Sequence, residues 1–332
     1  MIFTGYSPRC EKVKIDKDMK YVYGPVPSRR LNQSLGIDPL PLKTCNWNCV
    51  YCQLGRSIPL TDARKDYFPP AEILAEAREA ILNHQPGTID WVTFVGSGET
   101  LLCASLGWLI DCIKKLTPLP VAVITNGSYL YLPEVRQALL SADAVMPSLD
   151  AGTGDIYRKI NRPHPQFTFQ RLVNGLCEFR QMYPGKFWLE VMLVRDLNDS
   201  ESSLQDIARI VERIKPDVIH INYPTRPPAE PWVLPPVPER LELARLILGD
   251  VAEIIPAPLS VFACSVDDLN ASLVNLLSRH PMSQSEVMEI YQRWAPGKAD
   301  QLLQSLLESG SVQMVDRMGV QYFVSTQTYF PE

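Results

Sequence analysis

Residues 43–54 read KTCNWNCVYCQL and place Cys45, Cys49 and Cys52 within eight positions. Three cysteines this close admit three readings: a disulfide staple, a zinc site, or the open grip on an iron-sulfur cluster. Compartment bears on the first. The start of the chain, MIFTGYSPRCEKVKIDKDMKY, has no apolar stretch preceded by basic residues and no small-residue cleavage site. No uncharged apolar run approaches the roughly 18 residues of a membrane span. The expected location is therefore the cytoplasm, with no membrane partner, and a reducing compartment keeps thiols free. A structural zinc site wants four ligands, usually as two close pairs, and the nearest histidine, His84, falls in a candidate helix. Three thiolates can instead hold three irons of a cubane and leave the fourth iron open. The other five cysteines, Cys10, Cys103, Cys112, Cys177 and Cys264, are scattered singly and read as small buried hydrophobes, with no second close-set group for an auxiliary cluster.

Working outward from the trio, short apolar runs alternate with amphipathic ones. Strand candidates are 34–40, 89–95 (IDWVTFV), 121–125 (VAVIT), 144–150, 187–194 (FWLEVMLV) and 218–223 (VIHINY). Helix candidates between them are 71–83, 106–116, 133–141, 169–183 and 200–214. Six strands alternating with helices predict an α/β fold with a parallel sheet and right-handed crossovers. Six units are fewer than the eight of a closed barrel, so the expected form is a partial (β/α)6 barrel. Chemistry in such a fold sits on loops leaving the C-terminal ends of the strands. The trio follows the first strand, GSGET (96–100) the second, NGS (126–128) the third and LDAGTGD (149–155) the fourth.

Residues 224–239, PTRPPAEPWVLPPVPE, hold seven prolines in sixteen positions and read as a stiff crossing segment or a boundary, with a helix at 238–248 beyond it. VFACSVDDL (261–269) is expected to pack back on the barrel. Ser283 and Glu286 form a candidate capping box, a second helix covers 298–309, and VQMVD and VQYFVS flank a turn at Gly319. Helices followed by a two-stranded wing are winged-helix-like. From residue 279 onward four Lys/Arg face six Asp/Glu, so contact with protein or peptide fits this module better than DNA reading. The whole chain, 332 residues with net charge -5, divides into an extension (1–20), a barrel (21–250), a connector (251–278) and the winged-helix-like domain (279–332).

CNWNCVYC is a CxxxCxxC motif with an aromatic, Tyr51, before its last cysteine, and in this context it resembles the signature of the radical S-adenosylmethionine (radical SAM) superfamily. The resemblance implies that Cys45, Cys49 and Cys52 ligate one 4Fe-4S cluster whose open iron chelates SAM. It implies that Gly98 and Glu99 of GSGE hold the SAM amino group, that Ser148 and Asp150 meet the ribose hydroxyls, and that Asn126, Gly127 and Tyr51 line the cofactor cleft. Arg158 and Arg162 in YRKINRPH are candidates to face a carboxylate or phosphate. The chemistry implied is reductive cleavage of SAM to a 5'-deoxyadenosyl radical, with hydrogen abstraction from a substrate and an electron donor such as flavodoxin or ferredoxin.

Two longer stretches, YGPVPSRRLNQSLGID (23–38) and MPSLDAGTGDIYRKINRPH (146–164), resemble the wyosine synthase-like branch over residues 21–225. Members that modify tRNA carry further N-terminal cysteines and a pyruvate-binding lysine, whereas this chain has only Cys10 before the motif. The acidic balance also departs from a tRNA binder, since Arg29 and Arg30 make a pair and not a patch. A radical SAM enzyme acting on an unidentified substrate, with a peptide or protein among the candidates, is the first expectation, tRNA modification the second, and a non-catalytic iron-sulfur redox sensor or binding protein the third.

Overall fold

Runs such as VAVIT and VIHIN, apolar on both faces, are what a parallel strand covered by helices requires. The computed structural model describes residues 19–256 and 269–330. Its main sheet has eight strands in sequence order: β1 (Val22–Ser28), β2 (Asn32–Ile37), β3 (Trp91–Phe94), β4 (Val121–Thr125), β5 (Ala144–Pro147), β6 (Lys186–Met192), β7 (Val218–Asn222) and β8 (Ala252–Ile254). From β2 to β8 every neighbouring pair is parallel, and β1 joins β2 as an antiparallel hairpin. The six expected strands are all present. Two further strands, β1 and β8, extend the sheet at its edges.

Helices α1 (Pro70–Asn83), α2 (Leu106–Leu116), α3 (Pro133–Ala138), α4 (Gly154–Ile160), α5 (Phe169–Met182), α6 (Glu201–Ile214) and α7 (Pro238–Leu248) fill the crossovers. In α6, Ser200 caps the first turn by accepting from Ser203 N, and Leu204, Ile207, Val211 and Ile214 recur at helical spacing to bury one face. Along the strands the period of two sorts side chains. Val92, Val121, Val123, Val145, Phe187 and Leu189 join the helices in one large core. The alternate residues Trp91, Ala122, Ile124, Ala144, Met146 and Trp188 meet Leu31 in a small core on the other face. That face is concave: Arg30, in the β1–β2 turn, pairs with Glu190 of β6, and Arg29 Nη1 donates to the Pro256 carbonyl just past β8 at 2.9 Å. The sheet thus curls into an open barrel.

A second core, around Leu273, Leu277, Met282, Val287, Tyr291, Leu306 and Phe323, belongs to the C-terminal elements α8 (Leu269–Leu277), β9 (Met282–Ser283), α9 (Gln284–Trp294), α10 (Ala299–Glu308), β10 (Val312–Arg317) and β11 (Val320–Ser325). The capping box of Ser283 and Glu286 is formed at α9, and β10 and β11 make the expected hairpin, with β9 added on the β11 side. Val26 of β1 packs against this core, so the C-terminal elements cover the barrel's first edge. The segment VFACSVDDL and the residues Cys10 and Cys264 fall wholly or mainly outside the described residues.

Candidate active site

The cysteine loop leaves β2 where Asp38 ends the strand. Buried Asp38 accepts from Ser97 N at 3.0 Å, Ser97 Oγ at 2.5 Å and Arg279 Nε at 3.1 Å, and so ties β2, the GSGET loop and the C-terminal elements together. The cysteine loop then runs along GSGET, with Lys43 N donating to Ser97 O at 2.6 Å and Glu99 N to Thr44 O at 2.9 Å. Gly98 permits that approach: a Cβ there would lie 1.7 Å from the Thr44 carbonyl oxygen.

Each sulfur of the trio receives one N–H. Trp47 N donates to Cys45 Sγ at 3.4 Å, Asn161 Nδ2 to Cys49 Sγ at 3.6 Å and Lys43 Nζ to Cys52 Sγ at 3.2 Å. Burial pushes the Cys45 thiol up to about 12, with Glu99 adding to it. Cys49 is likewise held well above its ordinary value by burial, then by Cys45 and Asp150. The side chains of Cys45, Cys49 and Cys52 are free of disulfides. Among the described residues no three His, Cys, Asp or Glu side chains are placed to hold a single metal ion. Soft sulfur donors, each with an N–H directed at it, suit a larger iron-sulfur cluster. Of the scattered cysteines, Cys103 is buried beside α2, Cys112 lies within α2 and Cys177 within α5.

The expected cofactor contacts are gathered at the same end of the sheet, but most are bonded to the protein. Glu99, 1% exposed, accepts from Leu101 N at 2.9 Å, Asn126 N at 2.7 Å and the Thr125 hydroxyl. Burial lifts its carboxyl to about 7 against those three donors. Asn126 donates to Asn46 Oδ1 at 2.7 Å and accepts from Ser128 N at 2.9 Å, while Gly127 takes a left-handed φ of 75° that turns the chain. Asp150, 1% exposed, accepts from Met192 N at 2.9 Å, Asn161 Nδ2 at 2.6 Å and the Tyr51 hydroxyl. Burial raises the Asp150 carboxyl in spite of them. Ser148, half-buried, makes no side-chain hydrogen bond to another described residue.

Three residues that motif reading passed over are central. Asn46, inside the cysteine motif, joins it to the NGS turn through Ser128 Oγ at 2.7 Å and through Asn126. Asn161 bridges Cys49 and Asp150. Glu230, in the proline-rich crossing, receives a two-pronged bond from Arg56 at 2.9 and 2.8 Å, pairs with Arg162, and sends its own N–H to Val50 O at 3.0 Å. Asn46 and Asn161 sit in quoted motifs, Asn46 next to Cys45, whereas Glu230 gives no signal, because its partners lie 174 and 68 residues away. Arg162 is therefore a clamp on the cysteine loop. Arg158 pairs with Asp155 on the surface.

An open α/β barrel with a thiol trio at the C-terminal end of its first parallel strand defines a class of cofactor-dependent barrel enzymes. The chain belongs to the radical SAM superfamily, whose family model matches residues 40–220. It is 40% identical over 91% of its length to a protein named GTPase Obg from Brachyspira hyodysenteriae, of which it spans only 45%. It is 32% identical to a UPF0026 protein of Methanocaldococcus jannaschii, over 83% of this chain and 87% of that one. A radical SAM methyltransferase structure from Sphaerobacter thermophilus shares the fold, with a TM-score of 0.52 at 16% identity, covering 67% of this chain and 66% of that one. Among the described residues no helix is long and apolar enough to cross a membrane.

Proposed function

We propose that Cys45, Cys49 and Cys52 hold one 4Fe-4S cluster whose open iron binds SAM, and that the enzyme abstracts hydrogen from a substrate in the barrel. The observation that carries this is the trio itself, three half-buried thiols on the loop after β2 with one N–H directed at each sulfur. When bound and reduced, the cluster supplies the electron that cleaves SAM to methionine and a 5'-deoxyadenosyl radical. The chain's own residues position and enclose. Gly98 lets the cysteine loop lie against GSGET, which puts the loop's sulfurs and the C-terminal ends of β3 and β4 on one cleft. Glu99, Asn126 and Asn46 lock those ends to the motif, and Asp150 with Tyr51 and Asn161 does the same from β5.

SAM would lie over these strand ends. The GSGE backbone would receive its amino acid portion, and the half-buried Ser148 hydroxyl offers an unspent partner for a ribose hydroxyl. Glu99, Asn126, Asp150 and Tyr51 serve this cleft as its frame. An external reductant such as flavodoxin or ferredoxin supplies the electron. The C-terminal elements, which lie over the β1 edge and hold Asp38 through Arg279, flank the entry for a peptide, protein or smaller substrate.

The test is anaerobic reconstitution of the wild type and of Cys45→Ala, Cys49→Ala and Cys52→Ala, with iron and sulfide counted per chain. About four irons in the wild type and a deficit in each variant is the expected result. One zinc per chain, with no bound sulfide, would overturn it.

A further inference from the structure

Beside the cysteine loop is a recess that the reading above does not use. It holds about 450 Å³ and is lined by Leu42, Lys43, Arg56, Ile58, Gln327 and Tyr329. One wall is the motif and its continuation. Gly55 N donates to the Cys52 carbonyl at 3.1 Å, Ser57 N to Asn48 Oδ1 at 2.9 Å and Thr61 N to the Cys45 carbonyl at 3.0 Å, which fixes that wall to all three turns of the motif. The opposite wall is Gln327 and Tyr329, held in place by Arg56 N donating to the Tyr329 carbonyl at 3.0 Å. Lys43 belongs to the lining and its Nζ donates to Cys52 Sγ at 3.2 Å, so a residue of the recess touches a sulfur of the trio.

Its rim is apolar and positively charged at once. Ile58 is 68% exposed and Tyr329 58%. Arg56 stands over the Tyr329 ring, 5.9 Å from its centroid, and its side chain reaches Glu230. Two residues beyond Glu230 is Trp232, 51% exposed, and Arg317 donates to the Pro231 and Val233 carbonyls on either side of that tryptophan. Arg56, Arg162 and Arg317 thus gather about one carboxylate, Glu230, which is itself buried, and Lys43 adds a fourth cation beside Cys52. The chain as a whole carries a net charge of -5, so this face runs against the average of the molecule. Large exposed apolar side chains set among arginines are what a protein-contact surface presents.

We propose that this face docks the electron donor, a small acidic one-electron carrier protein, with its redox group seated over the recess beside Lys43 and Cys52. The proposal deepens the function proposed above and rests on it, since a donor is needed here only if the trio holds a reducible cluster. The carrier loses one electron and the cluster gains one, with no bond made or broken. The cations draw an acidic partner to this face of an otherwise acidic chain and set its orientation. Ile58, Tyr329 and Trp232 supply the apolar area that loses water on contact. The C-terminal elements then have a specific part, because Gln327 and Tyr329 complete the docking face from outside the barrel. A groove of about 660 Å³ between α1 and α2, lined in part by Leu74, Leu82 and Trp108, includes no residue of the cysteine loop and serves as the control surface.

The probe is an acidic flavodoxin, fully reduced and mixed anaerobically with the reconstituted full chain in the absence of SAM, and reduction of the cluster is followed by freeze-quench EPR. Ile58→Glu and Trp232→Glu put negative charge at exposed positions of the face. The second-order rate of cluster reduction should fall about tenfold in the double variant, and in the wild type it should fall as salt rises from roughly 0.05 to 0.5 M. Dithionite should reduce wild type and variants alike, and Leu82→Glu, on the control groove, should keep the wild-type rate with flavodoxin. Ile58→Glu alone keeps the test decisive if Trp232→Glu does not fold, because Ile58 is the more exposed of the two. Equal rates with flavodoxin in wild type and the folded variants overturn the proposal. So does a cluster that dithionite reduces and flavodoxin does not, or a loss in the variants that is as large with dithionite. Reduction that depends on this face in a protein that never forms 5'-deoxyadenosine would leave the docking face standing and remove the radical reaction, whereas a chain that loads no cluster would remove both.

Discussion

Gly98→Ala tests how the cleft is assembled. The added Cβ would stand 1.7 Å from the Thr44 carbonyl oxygen, 2.4 Å from its carbonyl carbon and 3.1 Å from its Cα. These are backbone atoms, so no rotamer change relieves the clash, and ordinary contact requires the two loops to separate by more than 1 Å. Separation breaks Glu99 N to Thr44 O and Lys43 N to Ser97 O, now 2.9 and 2.6 Å long. Two hydrogen bonds at about 0.5–1.5 kcal/mol each, plus overpacking at about 1–3 kcal/mol, give a loss of about 2–6 kcal/mol. Thr44 adjoins Cys45, so cluster retention should fall with it. Gly96→Ala is the internal comparison: its Cβ meets Leu40 Cδ1 at 2.9 Å, the mobile end of a side chain, and the cost should stay below about 1.5 kcal/mol. Urea midpoints of the cluster-free proteins and iron per chain after reconstitution are the readouts. A Gly98→Ala protein with wild-type midpoint and iron content would refute the reasoning.

Tyr51→Phe removes the hydroxyl that Asp150 accepts in a buried site and should cost about 1–3 kcal/mol in urea unfolding while the cluster is retained; an unchanged midpoint would show that the bond carries no weight. Glu99 is raised from 4.5 to about 7 by burial, so the unfolded chain loses its proton first and stability falls as pH rises between those values. Glu99→Gln should remove that component, about 3 kcal/mol at most, from the difference between urea midpoints at pH 5 and pH 8; an equal pH difference in the variant contradicts the assignment. Lys43→Met withdraws the ammonium from Cys52 Sγ and should lower the cluster's reduction potential by something on the order of tens of millivolts, read by an EPR-monitored redox titration. A potential equal to that of the wild type would mean that Lys43 acts only through its bond to the Gly55 carbonyl.

The parallel strands were legible because burial on both faces writes unbroken apolar runs, and α2 and α7 begin and end where spacing and prolines put them. β1 was not, since its prolines at 25 and 27 argue against a strand and are tolerated only because it is an edge. β8 is three residues long and carries no periodicity. The cysteine loop was legible from spacing alone, and the superfamily it implied is the one to which the chain belongs. What spacing does not report is direction. Glu99, Asn126 and Asp150 stand at the expected strand ends and Tyr51 on the cysteine loop, yet their polar atoms bond within the protein and hold the cleft together. Arg30 and Glu190 are 160 residues apart, and only the curl of the sheet makes them neighbours.

The most direct test of the account is formation of 5'-deoxyadenosine by the anaerobically reconstituted, reduced protein given SAM, beside a Cys45→Ala control. The account predicts 5'-deoxyadenosine that depends on Cys45. A fully loaded cluster that never cleaves SAM would contradict it and leave a protein that binds or senses without catalysing.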